Sequence, residues 1–293
     1  MKAFVFPGQG SQFPGMGYDL YKSNEKVKSL FNEADDVLGF ALSNVMFNGN
    51  EEELKQTKIT QPAIFLYSIA KLSILQETHS PSAVAGHSLG EFSSLVANNT
   101  ISFEDGLKLV FLRSKAMQKS CESSNGIMAA ILGLDDKTIK ETCESFDGNV
   151  TAANFNCPGQ VVISGELNAV KKICEKFNEI GARRSILLPV GGAFHSNLMN
   201  DAKSELKEAI HKTKFNNPSC PIYQNFTAQK TTNIDIIKEN LINQLTAPVL
   251  WTQTINNMVD DGYLDYIEVG PGKVLQGLIR KINRETTTQS VLS

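Results

Sequence analysis

The sequence predicts an α/β fold in which a small domain is inserted into a larger one. Short apolar runs alternate with longer amphipathic segments through the 293 residues, an order typical of layered α/β proteins. Near residue 126 this order changes to strand, helix, strand, strand, helix, strand, which is the order of a ferredoxin-like unit. We therefore predict a large domain built from residues 1–120 and 190–293, and a small domain at residues 121–189.

The large domain is expected to begin with a buried strand at residues 3–6, since Ala3-Phe4-Val5-Phe6 is a short apolar run before a glycine-rich loop. Apolar residues then recur at helical spacing over residues 18–38, 62–76 and 103–119. Between the last two segments, Ala83-Val84-Ala85 is a second short apolar run that predicts a strand.

The small domain consists almost entirely of predicted strands and helices. The order is a strand at 127–132, a helix at 137–145, strands at 150–154 and 160–164, a helix at 167–180 and a strand at 183–188. After Pro189 long helical segments resume, with a strand at 266–269 and a last helix at 273–283. Both ends of the chain therefore contribute to the large domain.

Composition argues against several classes of protein. With 41% hydrophobic and 20% charged residues the chain can bury a large core, and its net charge of −3 gives no general attraction to nucleic acid or anionic membranes. No run of about 18 apolar residues predicts a membrane span, and the apolar start is too short for a signal peptide. Five scattered cysteines without a C-x-x-C pair indicate buried thiols in a reducing compartment, so we expect a cytoplasmic protein.

The motif Gly86-His87-Ser88-Leu89-Gly90 has the pattern of a nucleophile elbow. It follows a predicted strand and precedes a predicted helix, which is the context that such a turn requires. Glycines on either side allow a sharp turn that leaves the serine hydroxyl exposed above the sheet. The helix that follows directs its first N–H groups at the same place, where they can stabilise an oxyanion. We therefore predict that Ser88 is a nucleophile, the alternative being a tight turn with an uninvolved serine.

A serine nucleophile needs a base, and the chain has only four histidines. His79 lies in a polar loop, His211 lies in a charged helical segment, and the side chain of His87 should point away from that of its neighbour Ser88. His195 remains, in a loop rich in small residues that returns the chain to the large domain, and we predict that it is the general base. The alternative is an ordinary histidine at a helix N-terminus.

The sequence offers no clear acid to orient this histidine. The acids between the nucleophile and the base fall in predicted loops or in the small domain, and they are Asp105, Asp135, Asp136 and Asp147. A main-chain carbonyl can do the same work, because it needs only to accept the Nδ1 proton and so fix the tautomer.

Arg113 lies on the apolar side of its predicted helix, beside Leu109, Val110 and Met117. A buried guanidinium without an anionic partner is costly, so we expect one. A structural ion pair is one reading. The other is a carboxylate of the substrate, since the planar fork of arginine suits bidentate binding of that group.

Two glycine-rich loops resemble nucleotide-binding motifs but lack defining residues. Gly8-Gln9-Gly10-Ser11-Gln12-Phe13 has a phenylalanine where G-x-G-x-x-G requires glycine, and Gly270-Pro271-Gly272-Lys273-Val274 is an incomplete P-loop. Both loops follow predicted strands, at the sheet edge where active sites of open α/β folds lie. The first loop could therefore offer backbone N–H groups to an oxyanion.

Taken together, these motifs resemble the malonyl-CoA:acyl carrier protein transacylase family of bacterial-type fatty-acid synthesis. The resemblance runs over essentially the whole chain. It is carried by Phe6-Pro7-Gly8-Gln9-Gly10-Ser11-Gln12, Gly86-His87-Ser88-Leu89-Gly90-Glu91, Leu112-Arg113-Ser114-Lys115-Ala116-Met117-Gln118, Asn154-Phe155-Asn156-Cys157-Pro158-Gly159-Gln160, Phe194-His195-Ser196 and Glu268-Val269-Gly270-Pro271-Gly272.

The resemblance implies a hydrolase-like large domain with a parallel sheet and an inserted ferredoxin-like domain. It implies a catalytic dyad of Ser88 and His195, oxyanion N–H groups from Gln9 and Leu89, and a substrate carboxylate held by Arg113. The carbonyl of Gln244 would orient the histidine. One local departure lies at Gly191-Gly192, where some relatives carry bulkier residues.

The implied reaction is ping-pong transfer of a malonyl group from malonyl-CoA to the phosphopantetheine thiol of acyl carrier protein, through a malonyl-serine. Because a thioester is already activated, we expect no metal and no cofactor. The expected protein is a monomer that binds neither nucleic acid nor membrane. Basic residues that could contact the acidic carrier protein are Arg183, Arg184, Arg280, Lys281 and Arg284; for the last three, the alternative is that they complement the C-terminus of the last helix.

Two other functions remain open at this point. A serine thioesterase or esterase would use the same dyad with water as the acceptor, although the chain lacks an HGGG-type oxyanion loop and a clear triad acid. A non-enzymatic docking module would bind carrier protein without chemistry, and the presence of both Ser88 and His195 argues against it.

Overall fold

The computed structural model describes residues 1–291, which form two β-sheets with helices packed around them. The large sheet has the strand order β10-β9-β1-β2-β7-β8, and all of its neighbouring pairs are parallel except β7 with β8. Its strands are β1 (Lys2–Phe6), β2 (Ala83–Gly86), β7 (Ile222–Tyr223), β8 (Lys230–Thr231), β9 (Asp265–Glu268) and β10 (Thr287–Ser290).

The small sheet has the order β4-β5-β3-β6 with antiparallel neighbours throughout, the arrangement of a ferredoxin-like unit. Its elements are β3 (Gly126–Leu132), α8 (Asp136–Ser145), β4 (Val150–Cys157), β5 (Gln160–Glu166), α9 (Leu167–Glu179) and β6 (Arg184–Leu187). The two sheets confirm the predicted fold class. The limits of the domains stay a prediction, and the long helix before β3 continues to Ser123, past the proposed limit at residue 120.

The remaining helices surround the large sheet. Those before the small sheet are α1 (Tyr18–Ser23), α2 (Glu25–Leu38), α3 (Leu42–Asn48), α4 (Glu51–Lys55), α5 (Thr57–Leu75), α6 (Gly90–Ala97) and α7 (Phe103–Ser123). Those after it are α10 (Asn200–Lys212), α11 (Ile234–Gln244), α12 (Trp251–Asp260) and α13 (Val274–Ile282), with a 3₁₀ turn at Asn197–Met199. No helix among residues 1–291 is both long enough and apolar enough to cross a bilayer.

The large sheet lies between two layers of helices, and successive side chains of β1 pack against opposite layers. Phe4 and Phe6 belong to the apolar cluster of α5, α6 and α7 on one side. Ala3 and Val5 belong to the cluster of α12 and α13 on the other, around Trp251. Since successive side chains of a strand point to opposite faces, a fully apolar β1 is what a sheet covered on both sides requires.

Two helix limits differ from the sequence-based expectation. The single helix expected over residues 18–38 is two helices, because Asn24 is extended and its side chain accepts hydrogen bonds from the N–H groups of Lys26 and Val27 at the start of α2. α5 begins at Thr57 rather than at Pro62. Proline is common at the first helical position, but here Pro62 lies inside the second turn.

Candidate active site

A cavity of about 530 Å³ opens between the carboxyl ends of β1 and β2 and the small sheet. Met128 of β3 and Val162 of β5 cover it from the small-sheet side. Five of the six predicted site residues line it, namely Gln9, Ser88, Leu89, Arg113 and His195. The sixth, Gln244, is fully buried at the end of α11 and contacts three of these residues from behind.

Ser88 lies on a sharp turn between β2 and α6, with a φ of 51°. Both flanking glycines are required by sterics. A Cβ on Gly86 would lie 1.9 Å from the carbonyl carbon of Gly90, and a Cβ on Gly90 would lie 2.1 Å from the Phe6 oxygen. The turn therefore has the geometry of a nucleophile elbow, and the loop after β1 passes directly over it.

Ser88 and His195 are in hydrogen-bond contact, with Oγ 2.8 Å from Nε2. On the other side of the ring, Nδ1 lies 2.9 Å from the backbone oxygen of Gln244. Because a carbonyl can only accept, Nδ1 carries the proton and Nε2 presents its lone pair to the serine. Burial, and next the charge of Arg113, lower the pKa of His195 to about 3, so the imidazole is neutral near pH 7.

The other candidates for the base and the acid lie elsewhere. His87 points away from Ser88, and its Nε2 lies 2.9 Å from Asn156 Oδ1. His79 contacts its neighbour Thr78, and His211 is exposed. Among the acids, Asp105 accepts from the Ser102 hydroxyl and Asp135 caps α8; no hydrogen bond or ion pair joins either of them to His195 in the described residues. These placements agree with the elimination made from the sequence.

Arg113 is 1% exposed, and its side chain contacts only neutral groups. Nη1 donates to Gln61 Oε1 at 2.7 Å, while Nη2 donates to Gln244 Oε1 at 3.1 Å and to Ser88 Oγ at 3.0 Å. Within residues 1–291 no carboxylate oxygen lies within 4.0 Å of the guanidinium, and Nε has no acceptor. Burial lowers the pKa of Arg113 to about 10, which leaves it charged at neutral pH. A structural ion pair is therefore not what holds this residue.

The backbone N–H groups of Gln9 and Leu89 border the cavity, and neither has a protein acceptor in residues 1–291. Leu89 is the residue before the first turn of α6, so its N–H lies at the positive end of that helix. The N–H of Ser88 is not available in this way, because it donates to Asn225 Oδ1 at 2.7 Å. An oxyanion beside Ser88 could therefore be bound by Gln9 and Leu89.

Residues 3–292 match the acyl transferase domain family. The malonyl CoA-acyl carrier protein transacylase of Bacillus subtilis is 44% identical over 99% of this chain and 92% of its own length. The enzyme of the same name from Staphylococcus aureus strain MRSA252 is 40% identical over 99% and 94%. The chain belongs to the malonyl CoA-acyl carrier protein transacylase family.

Solved structures of this family agree. An acyl carrier protein S-malonyltransferase from Vibrio cholerae superimposes with a TM-score of 0.95 at 40% identity, over 99% of this chain and 96% of that one. A malonyl-transacylase in complex with its type II PKS acyl-carrier protein gives 0.94 at 38% identity, over 99% and 94%. These matches confirm the resemblance, the fold class and the acyltransferase class that the sequence predicts.

Three buried polar residues of this site are not among those that the sequence predicts. They are Gln61 on α5, which contacts Arg113, and the pair Glu91 and Asn225, which contact each other and the elbow. A signal existed for each. Gln61 is a polar residue in the apolar face of a helix, Glu91 directly follows the elbow motif, and Asn225 follows β7, whose carboxyl end is at the sheet edge where ligands bind.

Proposed function

We propose that this chain moves a malonyl group from malonyl-CoA to the phosphopantetheine thiol of an acyl carrier protein, through a malonyl ester of Ser88. One observation carries the proposal. A serine paired with a neutral histidine faces the same cavity as a buried guanidinium that has no carboxylate partner in residues 1–291. Such a site suits an acyl group that ends in a carboxylate.

In the first half-reaction His195 Nε2 takes the proton of Ser88 Oγ as that oxygen attacks the thioester carbonyl. The N–H groups of Gln9 and Leu89 bind the oxygen that becomes negative. The C–S bond then breaks, and the proton on Nε2 passes to the departing CoA sulfur. The Gln244 carbonyl holds the Nδ1 proton throughout, which keeps the imidazole in the productive tautomer.

In the second half-reaction the thiol of the carrier protein takes the place of CoA. Its proton goes to Nε2, its sulfur attacks the malonyl ester, and the Ser88 oxygen leaves with the proton. The thioester supplies the activation, so the proposed chemistry requires no metal or redox cofactor. A carrier-protein partner is supported by the relative that was solved with its own acyl-carrier protein.

Arg113 would bind the malonyl carboxylate. Its Nη2 lies 3.0 Å from Ser88 Oγ, so a carboxylate on this guanidinium would hold its own acyl carbon near the nucleophile. An acyl group only three carbons long suits that short separation. The neutral amides of Gln61 and Gln244 would orient the guanidinium without competing for its charge.

Intact mass spectrometry tests this proposal. After mixing with malonyl-CoA, the wild-type protein should gain the mass of one malonyl group on Ser88, and the Ser88→Ala variant should gain none. Addition of carrier protein with its phosphopantetheine should remove the adduct much faster than water does. No adduct in wild type, or an undiminished one in Ser88→Ala, would end the proposal. Faster release as free malonate than as malonyl carrier protein would indicate a thioesterase instead.

A further inference from the structure

The conformation of Ser88 requires an explanation beyond the glycines. A φ of 51° is unfavourable for serine, so contacts around the turn must hold it there. The side chain of Asn225 makes two such contacts. Its Oδ1 accepts from the Ser88 N–H at 2.7 Å, and its Nδ2 donates to the Gly86 oxygen at 2.7 Å. One amide thus joins the chain before the nucleophile to the nucleophile itself.

Asn225 is placed by the sheet and by Glu91. It follows β7, which pairs in parallel with β2 in a register that sets Ala85 beside Tyr223. Its backbone oxygen accepts from the Leu250 N–H at 3.1 Å, and its backbone N–H donates to Glu91 Oε1. Asn225 and Glu91 are both fully buried. The carboxyl group of Glu91 therefore positions Asn225, and Asn225 in turn holds the turn at Ser88.

We propose that Glu91 and Asn225 form a clamp that positions the nucleophile, and that Glu91 acts in it as a hydrogen-bond acceptor rather than as a charge. The inference rests on the proposed function, because the transfer reaction is what the clamp would serve. Glu91 Oε1 accepts from Asn225, whereas Oε2 has no hydrogen-bond partner in the described residues. A buried carboxylate with one bare oxygen is costly, while a protonated carboxyl group is much less so.

The surroundings of Glu91 support the neutral form. No lysine, arginine or histidine of residues 1–291 lies within ion-pair distance of it. The one charged group that acts on Glu91 among the described residues is Arg113 on α7. Burial raises the pKa of Glu91 to about 8, against the opposing effects of the Asn225 N–H, the Arg113 charge and the side-chain amides of Gln244 and Gln224.

Three variants separate the acceptor from the charge. Glu91→Gln keeps an oxygen for the Asn225 N–H and removes the ionisable proton. Glu91→Leu keeps the bulk and removes the acceptor, leaving that N–H buried without a partner. Asn225→Asp keeps the acceptor for Ser88 but places an oxygen against the Gly86 carbonyl. Glu268 provides a matched control, since it is a carboxyl group 1% exposed that accepts from the backbone N–H groups of Leu275 and Gln276 at the start of α13.

Two rates are measured on folded protein, with thermal melting as the check of folding. The first is single-turnover malonylation of Ser88. The second is inactivation by phenylmethanesulfonyl fluoride, a neutral reagent that reports serine reactivity without Arg113. Because misplacement of a catalytic group by about 1 Å costs on the order of 100-fold, Glu91→Leu and Asn225→Asp should slow both rates by about that factor with little change in the KM for malonyl-CoA.

Glu91→Gln should react close to the wild-type rates, whereas Glu268→Leu should lower the melting temperature and leave both rates unchanged. The proposal is overturned if Glu91→Gln is as slow as Glu91→Leu, since the charge would then be what matters. It is equally overturned if Asn225→Asp reacts like wild type. A wild-type protein without a malonyl adduct would refute the proposed function instead. The rates of inactivation by phenylmethanesulfonyl fluoride would still report on the clamp.

Discussion

Arg113 Nη2 donates to Ser88 Oγ over 3.0 Å, while His195 Nε2 lies 2.8 Å from the same oxygen. The candidate nucleophile thus has a neutral base on one side and a buried cation on the other. Burial lowers the pKa of the imidazole and the guanidinium lowers it further. The same guanidinium can bind an anion beside the serine. Arg113 is therefore in a position to affect both the candidate base and the acyl selectivity that we propose.

Arg113→Ala should invert the acyl selectivity. If the guanidinium binds the malonyl carboxylate, its loss removes a buried charged pair, a change of about 3–5 kcal/mol or a few hundred-fold and more in rate. The kcat/KM for malonyl-CoA should fall by that factor, whereas the value for acetyl-CoA should be unchanged or higher because acetyl offers the cation no partner. Steady-state kinetics with both thioesters measure the two effects.

A purely structural Arg113 makes the opposite prediction. Since the side chain is 1% exposed and contacts Gln61 and Gln244, a structural role would lower the melting temperature and reduce both acyl transfers alike. A parallel loss for malonyl-CoA and acetyl-CoA would therefore contradict carboxylate binding.

The acylation rate should stay nearly constant as the pH falls from 8 to 5. A histidine base works in its neutral form, which is lost only as the pH falls through its pKa. An ordinary imidazole, with a pKa near 6.5, would lose about 30-fold at pH 5. Burial and the Arg113 charge lower the pKa of His195 to about 3, so the acid limb should lie below this range.

Rapid-quench acylation followed by mass spectrometry measures this profile. Acetyl-CoA is the control substrate, because its acyl group has no ionisable carboxyl of its own. In Arg113→Ala the acid limb for acetyl-CoA should move to higher pH, since one cause of the lowered pKa is then absent. A limb centred near 6.5 in wild type would show that His195 is solvated in the working enzyme.

The sequence predicts those features of the site that depend on local geometry. The elbow at Ser88 requires glycine at two nearby positions. Because this requirement is steric and short-range, it is visible in a motif of five residues. His195 could be found because only four histidines exist to choose from. Gln244 came from family resemblance alone, because any residue can supply a carbonyl oxygen and no side-chain type marks the one that is used.

Long-range contacts explain what the sequence did not predict. Asn225 and Glu91 are 134 residues apart, and they meet only because β7, a strand of two residues, pairs with β2. So short a strand gives no periodic pattern. The break between α1 and α2 was missed for a different reason, since a capping asparagine inside an apolar periodicity of helical spacing is easily overlooked.

Charge reversal on the last helix should weaken docking of the carrier protein. Arg280 and Lys281 are exposed, and in residues 1–291 neither lies within ion-pair distance of an acid. Burial raises the pKa of the Cys157 thiol and the charge of Lys281 opposes that shift, so this lysine lies near the end of β4. Asn154 and Asn156 of the same strand line the cavity.

The Arg280→Glu, Lys281→Glu variant should therefore raise the KM for acyl carrier protein and make it less dependent on salt, with no change in the KM for malonyl-CoA. Reversal of Lys171 and Lys172, exposed residues of α9 that do not line the cavity, is the matched control. Equal effects on both substrates would reject this surface, and would agree with basic residues that only complement the end of α13.

Two adjacent glycines before His195 should respond oppositely to alanine. A Cβ on Gly192 would lie 2.1 Å from Cys121 Sγ at the end of α7, whereas a Cβ on Gly191 would meet nothing within 4 Å. Either Cys121 or the loop that carries His195 must therefore shift in Gly192→Ala. We expect the loop to move, and a shift of about 1 Å costs on the order of 100-fold in acylation. Gly191→Ala should keep the wild-type rate.

Replacing Cys121 by alanine in the Gly192→Ala background removes the sulfur and should restore part of the loss, although the Cβ of residue 121 still lies only 2.9 Å from the new methyl group. Equal single-turnover rates for the two glycine variants would show that the loop adjusts without moving the base.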